Sequence, residues 1–565
     1  MNLQWIPQDQ IDPEIVKNYA ERLNVPPIIS SILINRGIDT FEKAKRFFKG
    51  KVENLYDPFL MKDMQKAVDR VLIALKNKEK ILIYGDYDVD GITAVSLLYM
   101  LLKRLGADVL FYIPHRIQEG YGIAISGIDE AKKNNVKLII SVDCGITAIQ
   151  EVAYAGANNI DIIISDHHEE GPELPKAWAI LNPKCKDSNY PYPELAGVGV
   201  AFKLGQAIIK SLGLADDIIL GYLDLVAIGS TADIVPLIDE NRIFVKEGLK
   251  LINHSKKPGI RALLKVSALN DKAISTGQIV FVLAPRINAV GRMGDAEHAV
   301  KLLTTENWQE AWEIANLLEN ENRMRKNIDE GTFREARNII EQNFDLSANF
   351  GLVLAQEGWH PGVIGIVASR VVEKYYRPTI MISVDTEFGK GSARSIAGFD
   401  IYNAIKKCED LLIAFGGHKY AAGLTIEKDK IQEFRKRFNE IAQMELSEDL
   451  LRPKLKIDSE IRFSEITPRL VQLLKLFAPF GPQNMRPVFQ SNNLQVVGTP
   501  TIVGRNHLKF KVRQDEIVFD AIGFNLGELI YRIDPGAPNL DLVYVVEENT
   551  YLGRTALQLR VKDLR

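Results

Sequence analysis

Acidic and imidazole side chains follow short apolar runs at four places in the first half of the chain. ILIY leads into GDYDVDG, IISV into DCG, IIIS into DHHEE, and LVAI into GSTADIVPL. The residues in these segments that could bind a metal are Asp86, Asp88, Asp90, Asp143, Asp166, His167, His168 and Asp233. Carboxylates with one or two imidazoles suit Mn²⁺ or Mg²⁺, whereas structural zinc sites are rich in thiolates. The segments therefore predict a manganese or magnesium site.

The elements around these segments are expected to bring them together. From about residue 62 to 245, apolar runs of strand length alternate with helical stretches such as TAVSLLYMLLKRLG, which is typical of a parallel, doubly wound sheet. The carboxyl ends of such strands emerge at one edge, where open α/β sheets bind ligands. If the first segment stays extended, Asp86, Asp88 and Asp90 share one face, since alternate residues of a strand point the same way. Asp233 is expected after a further apolar run and a Gly-Ser-Thr turn.

Five or more carboxylates gathered at one edge repel each other strongly. At a separation of about 4 Å and an effective dielectric of about 20, one pair costs on the order of 4 kcal/mol. Bound cations relieve this repulsion, and the ligands suffice for two ions that share one bridging carboxylate. Two such ions activate a water and neutralise the charge that develops on a phosphoryl group. Phosphoester hydrolysis is therefore the predicted chemistry.

Simpler interpretations of single residues remain open. An isolated Asp at the end of a strand is more often a helix cap or a turn residue than a ligand. A DxDxDG segment could also be a calcium loop, but that loop needs a glutamate at its twelfth position, which here is Leu97. Asp86 could lie beside the ions, and Asp166 could orient a histidine without binding metal itself.

The length of 565 residues, at about 150 residues per domain, suggests three to four domains. The expected fold is a multidomain α/β protein in which two α/β domains are joined by a long helix and followed by a C-terminal β-barrel. The long helix is expected over about 306–343 because that stretch is polar, carries spaced apolar residues and lacks proline. The expected segments are a cap or arm at 1–50, the parallel-sheet domain at 51–245, a helical connector at 246–345, the second α/β domain at 346–448 and the barrel at 449–565.

The composition gives little global attraction for nucleic acid, because the formal net charge is −3. A local excess exists in residues 451–565, where 16 Lys and Arg face 12 Asp and Glu. The three cysteines are too few and too far apart for a disulfide framework. The first residues lack the apolar core of a secretory signal, and no run reaches the roughly 20 apolar residues that span a bilayer. A soluble cytoplasmic protein without a membrane partner is expected.

Together, the four acidic segments resemble the motifs of the DHH phosphoesterase superfamily, in the order found in that family. From about residue 50 almost to the end, further segments resemble its single-stranded-DNA-specific exonucleases: IPHRIQEGYG, VGVAFKL, LAPRINAVGRMGDA, GWHPGVIGIVASR, GSARSI, FGGHKYAAGL and FGPQNMRPVF. The resemblance implies a DHH domain, a DHH-associated domain and an oligonucleotide-binding (OB) barrel. It also implies two Mn²⁺ or Mg²⁺ ions, with Asp143 as the bridge, Asp86 close by and His168 against the scissile phosphate. The implied ligands are Asp88, Asp90, Asp143, His167 and Asp233.

The resemblance implies substrate contacts by arginine as well. Arg116, Ser392 and Arg394 would receive a 5′ phosphate, and Arg286 and Arg292, expected in a loop, would grip neighbouring phosphates. The chemistry is suitable because a guanidinium binds phosphate through two parallel hydrogen bonds. Each arginine could equally form a surface or interdomain ion pair.

Two further segments are expected to contact the strand. Gly416 and Gly417 are expected before a helix whose N-terminus favours phosphate, with His418 reaching the same anion, although a tight turn explains the glycines as well. In the barrel, the positive excess and the run Lys509 to Lys511 suggest a path for the strand, with Phe510 pointing inward.

The expected function is a Mn²⁺- or Mg²⁺-dependent 5′ to 3′ exonuclease that degrades single-stranded DNA to 5′ mononucleotides during recombination and repair. Single-stranded DNA is the expected partner, with a helicase and a single-strand-binding protein, and the expected state is a monomer. One alternative is a phosphodiesterase for short RNA or cyclic dinucleotides, although such relatives lack a terminal barrel. The other is a catalytically silent, strand-binding scaffold, although such relatives lose ligands that this chain keeps.

Overall fold

The computed structural model describes residues 3–116, 119–536, 539–551 and 554–565. From residue 3 onward, the N-terminal segment holds one short strand and three helices. Their bounds are β1 Gln4–Pro7, α1 Pro13–Leu23, α2 Pro27–Asn35 and α3 Phe41–Lys49.

The first α/β domain is a five-stranded sheet with the order β3-β2-β4-β5-β6, and every neighbouring pair is parallel. Its central strands are almost completely buried, as apolar strands covered by helices on both faces must be. The elements are α4 Met64–Asn77, β2 Lys80–Gly85, α5 Val89–Arg104, β3 Val109–Tyr112, α6 Ile125–Lys133, β4 Val136–Val142, α7 Ile149–Ala157, β5 Asp161–Ser165, β6 Ala179–Leu181, α8 Gly197–Ser211, α9 Asp217–Leu220, α10 Leu223–Ala232 and α11 Asp239–Asn253. Because β2, β4 and β5 are neighbours, the segments that follow them meet at one edge.

A helical connector follows, and its longest helix matches the predicted stretch. The helices are α12 Pro258–Val266, α13 Thr276–Gln278, α14 Ala284–Met293, α15 Glu297–Thr304 and α16 Trp308–Asn343, with a π-helical turn at Ile279–Leu283. Arg286 and Arg292 lie on α14, so the prediction that a loop carries them is wrong. Along the described residues, no helix is both long and apolar enough to cross a membrane.

The second α/β domain contains a mixed sheet with the order β10-β11-β9-β8-β7, in which only β7 and β8 are parallel. Its elements are β7 Leu352–Glu357, α17 Ile364–Tyr375, β8 Thr379–Val384, β9 Phe388–Arg394, α18 Ile401–Lys406, β10 Leu412–His418, β11 Ala421–Glu427 and α19 Ile431–Glu445. The prediction of a helix after Gly416 and Gly417 is wrong, because FGGHKYAAG forms the β10–β11 hairpin.

The C-terminal domain is a closed barrel, as the sequence predicted. Its elements are β12 Lys454–Ile457, β13 Ser459–Glu460, α20 Pro468–Leu476, β14 Phe489–Val503, β15 His507–Gln514, β16 Ile517–Gly523, β17 Leu540–Tyr551 and β18 Arg554–Leu564. Pairing of β14 with β17 closes the ring of β14, β15, β16, β18 and β17. Along β15, Phe510 points into the core while Lys509 and Lys511 face outward, as strand alternation predicted.

The N-terminal helices pack against this barrel, at the opposite end of the chain. Strand β1 pairs in parallel with β12. Ile29, Leu33 and Phe47 share one hydrophobic cluster with Phe477 and Phe489. The segment predicted as a cap or arm is thus part of the core of the C-terminal domain.

Arg242, on α11 of the first domain, ties these parts together. Its guanidinium stacks on Phe47 at 3.9 Å and is 3% exposed. All its N–H groups donate to main-chain carbonyls, and the acceptors are Phe47, Leu476, Phe477, Ala478 and Pro479. Since four of these carbonyls lie at and beyond the end of α20, the cation also faces the negative end of that helix.

Arg242→Ala is expected to lower the free energy of unfolding by about 3 kcal/mol or more, because it leaves several buried carbonyls without a donor. The free energy of unfolding of Arg242→Lys should lie between those of the unchanged protein and Arg242→Ala, because an ammonium has three N–H groups where the guanidinium has five. Denaturant unfolding followed by circular dichroism measures the effect, with the exposed Lys250→Ala on the same helix as the control. Equal midpoints for Arg242→Ala and Lys250→Ala would contradict this role.

Candidate metal centre

Asp86, Asp88 and Asp90 lie in the turn that joins β2 to α5. Asp88 is the N-cap of α5, and its Oδ1 accepts hydrogen bonds from the amides of Asp90 at 2.9 Å and Gly91 at 3.1 Å. Asp90 is already in the first helical turn. The expectation of an extended segment with all three side chains on one face is therefore wrong. The turn itself brings the carboxylates together.

Asp90 is held by the beginning of another helix. Its Oδ2 accepts the amide of Gly197 at 2.6 Å and its Oδ1 accepts the amide of Val198 at 2.9 Å. These are the first two residues of α8, where main-chain N–H groups have no partner within the helix. With 1% exposure, Asp90 is fixed in position by two main-chain donors.

Asp143 follows β4 and adopts a left-handed backbone conformation with φ 60°. Non-glycine residues rarely adopt this conformation, although aspartate tolerates it better than most. The side chain is buried, and its Oδ1 lies 3.0 Å from His167 Nε2. The sharp turn after β4 therefore directs the carboxylate toward the residue that follows the neighbouring strand.

His167, which follows β5, is the meeting point of three acidic side chains. Its Nε2 lies 3.0 Å from Asp143 Oδ1, 3.8 Å from Asp90 Oδ2 and 3.7 Å from Asp233 Oδ2. Asp233 reaches this point from the end of α10, so the expectation of a turn at Gly-Ser-Thr is wrong because those residues are helical. An apolar run of that length does not by itself distinguish a buried strand from a buried helix.

Asp166 and His168 form a separate pair beside the cluster. Asp166 Oδ1 accepts the amides of His167 and His168 and lies 2.7 Å from His168 Nδ1, while its Oδ2 accepts the amide of Ile146. Against the effect of burial, these hydrogen bonds and the histidine charges lower the pKa of Asp166 to about 2. Burial also opposes the charged form of His168, but Asp166 raises its pKa to about 9. The arrangement is that of a carboxylate that orients a cationic histidine.

Tyr121 was not singled out from the sequence. Its hydroxyl donates to the carbonyl of Asp143 at 3.1 Å and lies 3.1 Å from His168 Nδ1. It stands between Gly120 and Gly122, both in positive-φ conformations that favour glycine. The Gly-Tyr-Gly triplet within IPHRIQEGYG was the available signal, but only the structure shows that the phenol faces the cluster.

Burial and mutual repulsion oppose the charged forms of the carboxylates in this cluster. Burial raises the pKa of Asp90 to about 7, with Asp88 adding to the effect, and burial with the neighbouring carboxylates also raises the pKa of Asp86, Asp143 and Asp233. Burial lowers the pKa of His167 to about 3, so the ring is neutral near pH 7 and could act as a metal ligand.

Among the described residues, Asp86 Oδ1 and Asp143 Oδ1 are buried and accept no hydrogen bond. Three groups bring their ligand atoms within 4.8 Å of one another, and Asp143 belongs to two of them: Asp86, Asp88 and Asp143; Asp90, His167 and Asp233; Asp143, His167 and His168. Mainly oxygen donors with an imidazole fit Mn²⁺ or Mg²⁺.

A second group of predicted residues has the opposite charge. Arg394 donates to Ser392 Oγ at 3.2 Å and to the carbonyl of Ala393. The side chains of Ser392 and Arg394 lie against the first turn of α17. A Cβ added there at Gly365 would be 2.8 Å from Ser392 Oγ. Arg292 donates to the carbonyl of Gly362 just before that helix. Helix α17 thus begins beside two arginines and a serine.

Arg116 completes this group. Its guanidinium lies 4.9 Å from the ring centroid of Tyr87, and its charge lowers the pKa of Arg394 in addition to burial. Burial, followed by the charges of Arg116 and Arg394, lowers the pKa of Arg292 to about 9. Among the described residues none of these three arginines forms an ion pair, whereas Arg286 pairs with Glu319 at 2.6 Å. The structure brings Arg116, Arg292, Ser392 and Arg394 together. Arg286 instead forms an ion pair with Glu319, which was the alternative expected for each arginine.

His418, at the end of β10, lies between the two groups. Burial lowers its pKa, and the charges of Arg394 and His168 add to this effect. Gly417 has φ 143° and no room for a side chain, since an added Cβ would be 2.5 Å from the carbonyl of Ala421, whereas Gly416 faces open space. The hairpin thus brings His418 close enough to both groups for their charges to lower its pKa.

Comparison with known protein families agrees with this architecture. Residues 80–230 match the DHH family, N-terminal domain; residues 348–444 match the DHHA1 domain; residues 457–563 match the RecJ OB domain. Fold and site therefore define a DHH-family protein.

Individual relatives narrow the assignment. The single-stranded-DNA-specific exonuclease RecJ of Bacillus subtilis is 40% identical over 556 residues, which are 98% of this chain and 70% of the relative. The crystal structures of RecJ from Thermus thermophilus in complex with Mn²⁺ and with Mg²⁺ superpose with TM-scores of 0.85 and 0.80 at 29% and 27% identity, covering 100% of this chain and 79% and 78% of theirs. The chain belongs to the RecJ family. With the ligand groups above, the metals of these relatives confirm the predicted Mn²⁺ or Mg²⁺ cofactor.

Mn²⁺ affinity is expected to rise from about pH 5.5 to about pH 7.5, because the ion must displace protons from carboxylates with raised pKa values. Asp90 shows why the affinity should rise with pH, because its pKa is about 7 in the folded protein and about 3.9 in the unfolded chain. The stability that protonated Asp90 contributes to the metal-free protein is fully present below about pH 4 and is lost as the pH rises through about 7. The stability that protonated His168 contributes to the metal-free protein has the same pH dependence in sign. It is fully present below about pH 6.5 and is lost as the pH rises through about 9.

Isothermal titration calorimetry in buffers of different ionisation enthalpy would measure both the affinity and the protons released per ion. Asp90→Asn should release fewer protons than the unchanged protein. An affinity that is constant over this pH range, without proton release, would contradict the electrostatic interpretation.

Proposed function

We propose that this protein is a Mn²⁺- or Mg²⁺-dependent exonuclease that degrades single-stranded DNA from the 5′ end to 5′ mononucleotides. The observation that carries the proposal is the nearness of the acidic cluster around His167 to the arginine group at the start of α17. The charge of Arg116 opposes the rise in the pKa of Asp86, and the charges of Arg394 and His168 both act on His418. The names of the relatives support the activity and the substrate.

The proposed ligands for two ions are Asp86, Asp88, Asp90, Asp143, His167 and Asp233, with Asp143 as the bridge. Bound divalent ions supply a nucleophile from water at neutral pH and neutralise charge on the reacting phosphate. The oxygen of water adds to phosphorus, and the bond from phosphorus to O3′ of the terminal nucleotide breaks. His168 remains cationic near neutral pH because Asp166 raises its pKa to about 9, so it can donate to the phosphate or to the departing O3′.

The polarity is proposed to come from Arg116, Arg292, Ser392 and Arg394. A 5′ terminal phosphate carries nearly two negative charges near neutral pH, whereas an internal phosphate carries one. Among the described residues these arginines form no ion pair, and burial together with the charge of Arg116 lowers the pKa of Arg292 and of Arg394, so the group gains most from the more highly charged anion. Each cleavage leaves a new 5′ phosphate on the shortened strand, which can return to the same group.

The restriction to one strand is proposed to follow from the close approach of the two α/β domains. His418 belongs to the second domain and His168 to the first, yet they are close enough for the charge of one to lower the pKa of the other. The outward row Lys509, Lys511 and Arg513 on β15 supports a path for the strand over the barrel.

The cellular role is proposed on the same basis. The catalytic and phosphate-binding groups come from one chain, which supports a monomer. An enzyme limited to single strands needs a helicase to expose them and meets them covered by a single-strand-binding protein, so these are the proposed partners. The proposed setting is recombination and repair of DNA in the cytoplasm.

End-labelled oligonucleotides test the activity directly. With Mn²⁺, single strands should release mononucleotides from the 5′ end while blunt duplexes resist. Asp143→Ala should reduce the rate by at least about 10²-fold, and the exposed Asp216→Ala should leave it unchanged. Cleavage confined to dinucleotides would favour the phosphodiesterase alternative, and strand binding without cleavage would favour the silent scaffold.

Arg394→Ala is expected to weaken the use of strands that carry a 5′ phosphate by about tenfold to a hundredfold, the value of one or two charge-assisted hydrogen bonds. The loss should appear mainly in KM and should be much smaller for strands with a 5′ hydroxyl. Lys390→Ala, an exposed cation on the same strand β9, is the control. An equal loss on both kinds of end would contradict a terminal-phosphate site.

A further inference from the structure

Helix α8 begins directly against two of the proposed ligands. The amide of Gly197 donates to Asp90 Oδ2 at 2.6 Å, and the amide of Val198 donates to Asp90 Oδ1 at 2.9 Å. On its other side, Gly197 faces Asp143. A Cβ built on Gly197 would lie 2.6 Å from Asp143 Oδ1, 2.7 Å from its Cβ and 2.9 Å from its Cγ. One residue without a side chain thus separates the two carboxylates.

The backbone of Gly197 does not require glycine. Its φ lies outside the positive range, unlike that of Gly145 at 113°. Glycine is also the poorest helix former after proline, so helix propensity favours alanine at this position. Space is the remaining reason for glycine, since real Cβ atoms essentially never approach a neighbour as closely as 2.6 Å.

Asp143 has little freedom to move away. It is 2% exposed, its backbone is left-handed, and its carbonyl accepts the Tyr121 hydroxyl. Its Oδ1, the atom nearest to the added Cβ, is also the atom 3.0 Å from His167 Nε2. A side chain at Gly197 would therefore displace the carboxylate oxygen that faces the other ligands.

We propose that Gly197 is a positioning residue of the metal centre. Its amide, with that of Val198, fixes Asp90, and its missing side chain leaves the space in which Asp143 reaches His167. The proposal rests on the proposed metal ligands and names a residue that controls them without touching substrate or ion.

Gly199 provides a matched control on the same helix. A Cβ added there would meet its nearest neighbour, Leu195 Cβ, at 3.5 Å, which is ordinary contact. Gly197→Ala and Gly199→Ala therefore make the same chemical change two residues apart, with and without a carboxylate in the way.

The first experiment measures Mn²⁺ binding to both variants by calorimetry and by the electron paramagnetic resonance of the ion. Gly197→Ala should weaken Mn²⁺ binding by about tenfold to a hundredfold, as is usual for residues that orient ligands, and should change the spectrum of the bound ion. Its activity should recover as Mn²⁺ is raised, with an unchanged KM for DNA. Gly199→Ala should bind Mn²⁺ like the unchanged protein.

The second experiment, without metal, tests the contact even if Gly197→Ala folds poorly. Asp143→Gly removes every atom that the added Cβ would strike and suits the left-handed backbone at that position. Gly197→Ala should lower the melting temperature in the otherwise unchanged protein and raise it in the Asp143→Gly background. A shift of the same sign and size in both backgrounds would overturn the proposal.

The two experiments separate this proposal from the proposed function. If the unchanged protein takes up no Mn²⁺, the metal centre itself is wrong. If it takes up Mn²⁺ and Gly197→Ala binds the ion equally well with the same spectrum, only the role of Gly197 is overturned.

Discussion

Repulsion among carboxylates that are buried together is the constraint on which the rest of this structure depends. Burial raises the pKa of Asp90 to about 7, and the neighbouring carboxylates add to the same effect at Asp143 and Asp233. The fold opposes this cost with main-chain donors at the beginnings of two helices, at Asp88 and at Asp90. Main-chain N–H groups hold a carboxylate in place but carry only partial charge, so they orient the cluster without neutralising it. Full neutralisation is left to the divalent ions.

Three arginines from different parts of the chain present the complementary problem: one follows β3 in the first α/β domain, one lies on α14 of the connector and one ends β9 of the second α/β domain. Among the described residues Arg116, Arg292 and Arg394 form no ion pair, and burial, with the charges of Arg116 and Arg394, lowers the pKa of Arg292 to about 9. The negative group lies at the edge of a parallel sheet and the positive group at the start of α17, with His418 between them. A strand of phosphates can satisfy both groups at once, because one phosphate meets the arginines while the next meets the metal ions. The acidic cluster and the arginine group are thus proposed as two parts of one substrate site.

Much of this arrangement could be predicted from the sequence, because strands of a parallel sheet end at one edge whatever their details. The acids after β2, β4 and β5 meet as expected, and the long helix α16 and the barrel were predictable from periodicity. Asp233 was assigned to the wrong element, since a buried helix and a buried strand have the same apolar composition. The partner of Arg286 and the packing of the N-terminal helices on the barrel depend on contacts far apart in sequence, which local patterns do not encode.

The position of Asp143 shows why geometry at such a site is finer than sequence patterns reveal. A left-handed aspartate is strained, and a structure retains such strain where the surrounding contacts leave no alternative. Here the contacts are Tyr121 on its carbonyl, His167 at its carboxylate and the bare backbone of Gly197 behind it. Each contact alone would fit many functions, and only their convergence fixes one oxygen atom between two groups of ligands. A small shift of that oxygen costs the fold little but would misplace a proposed metal ligand.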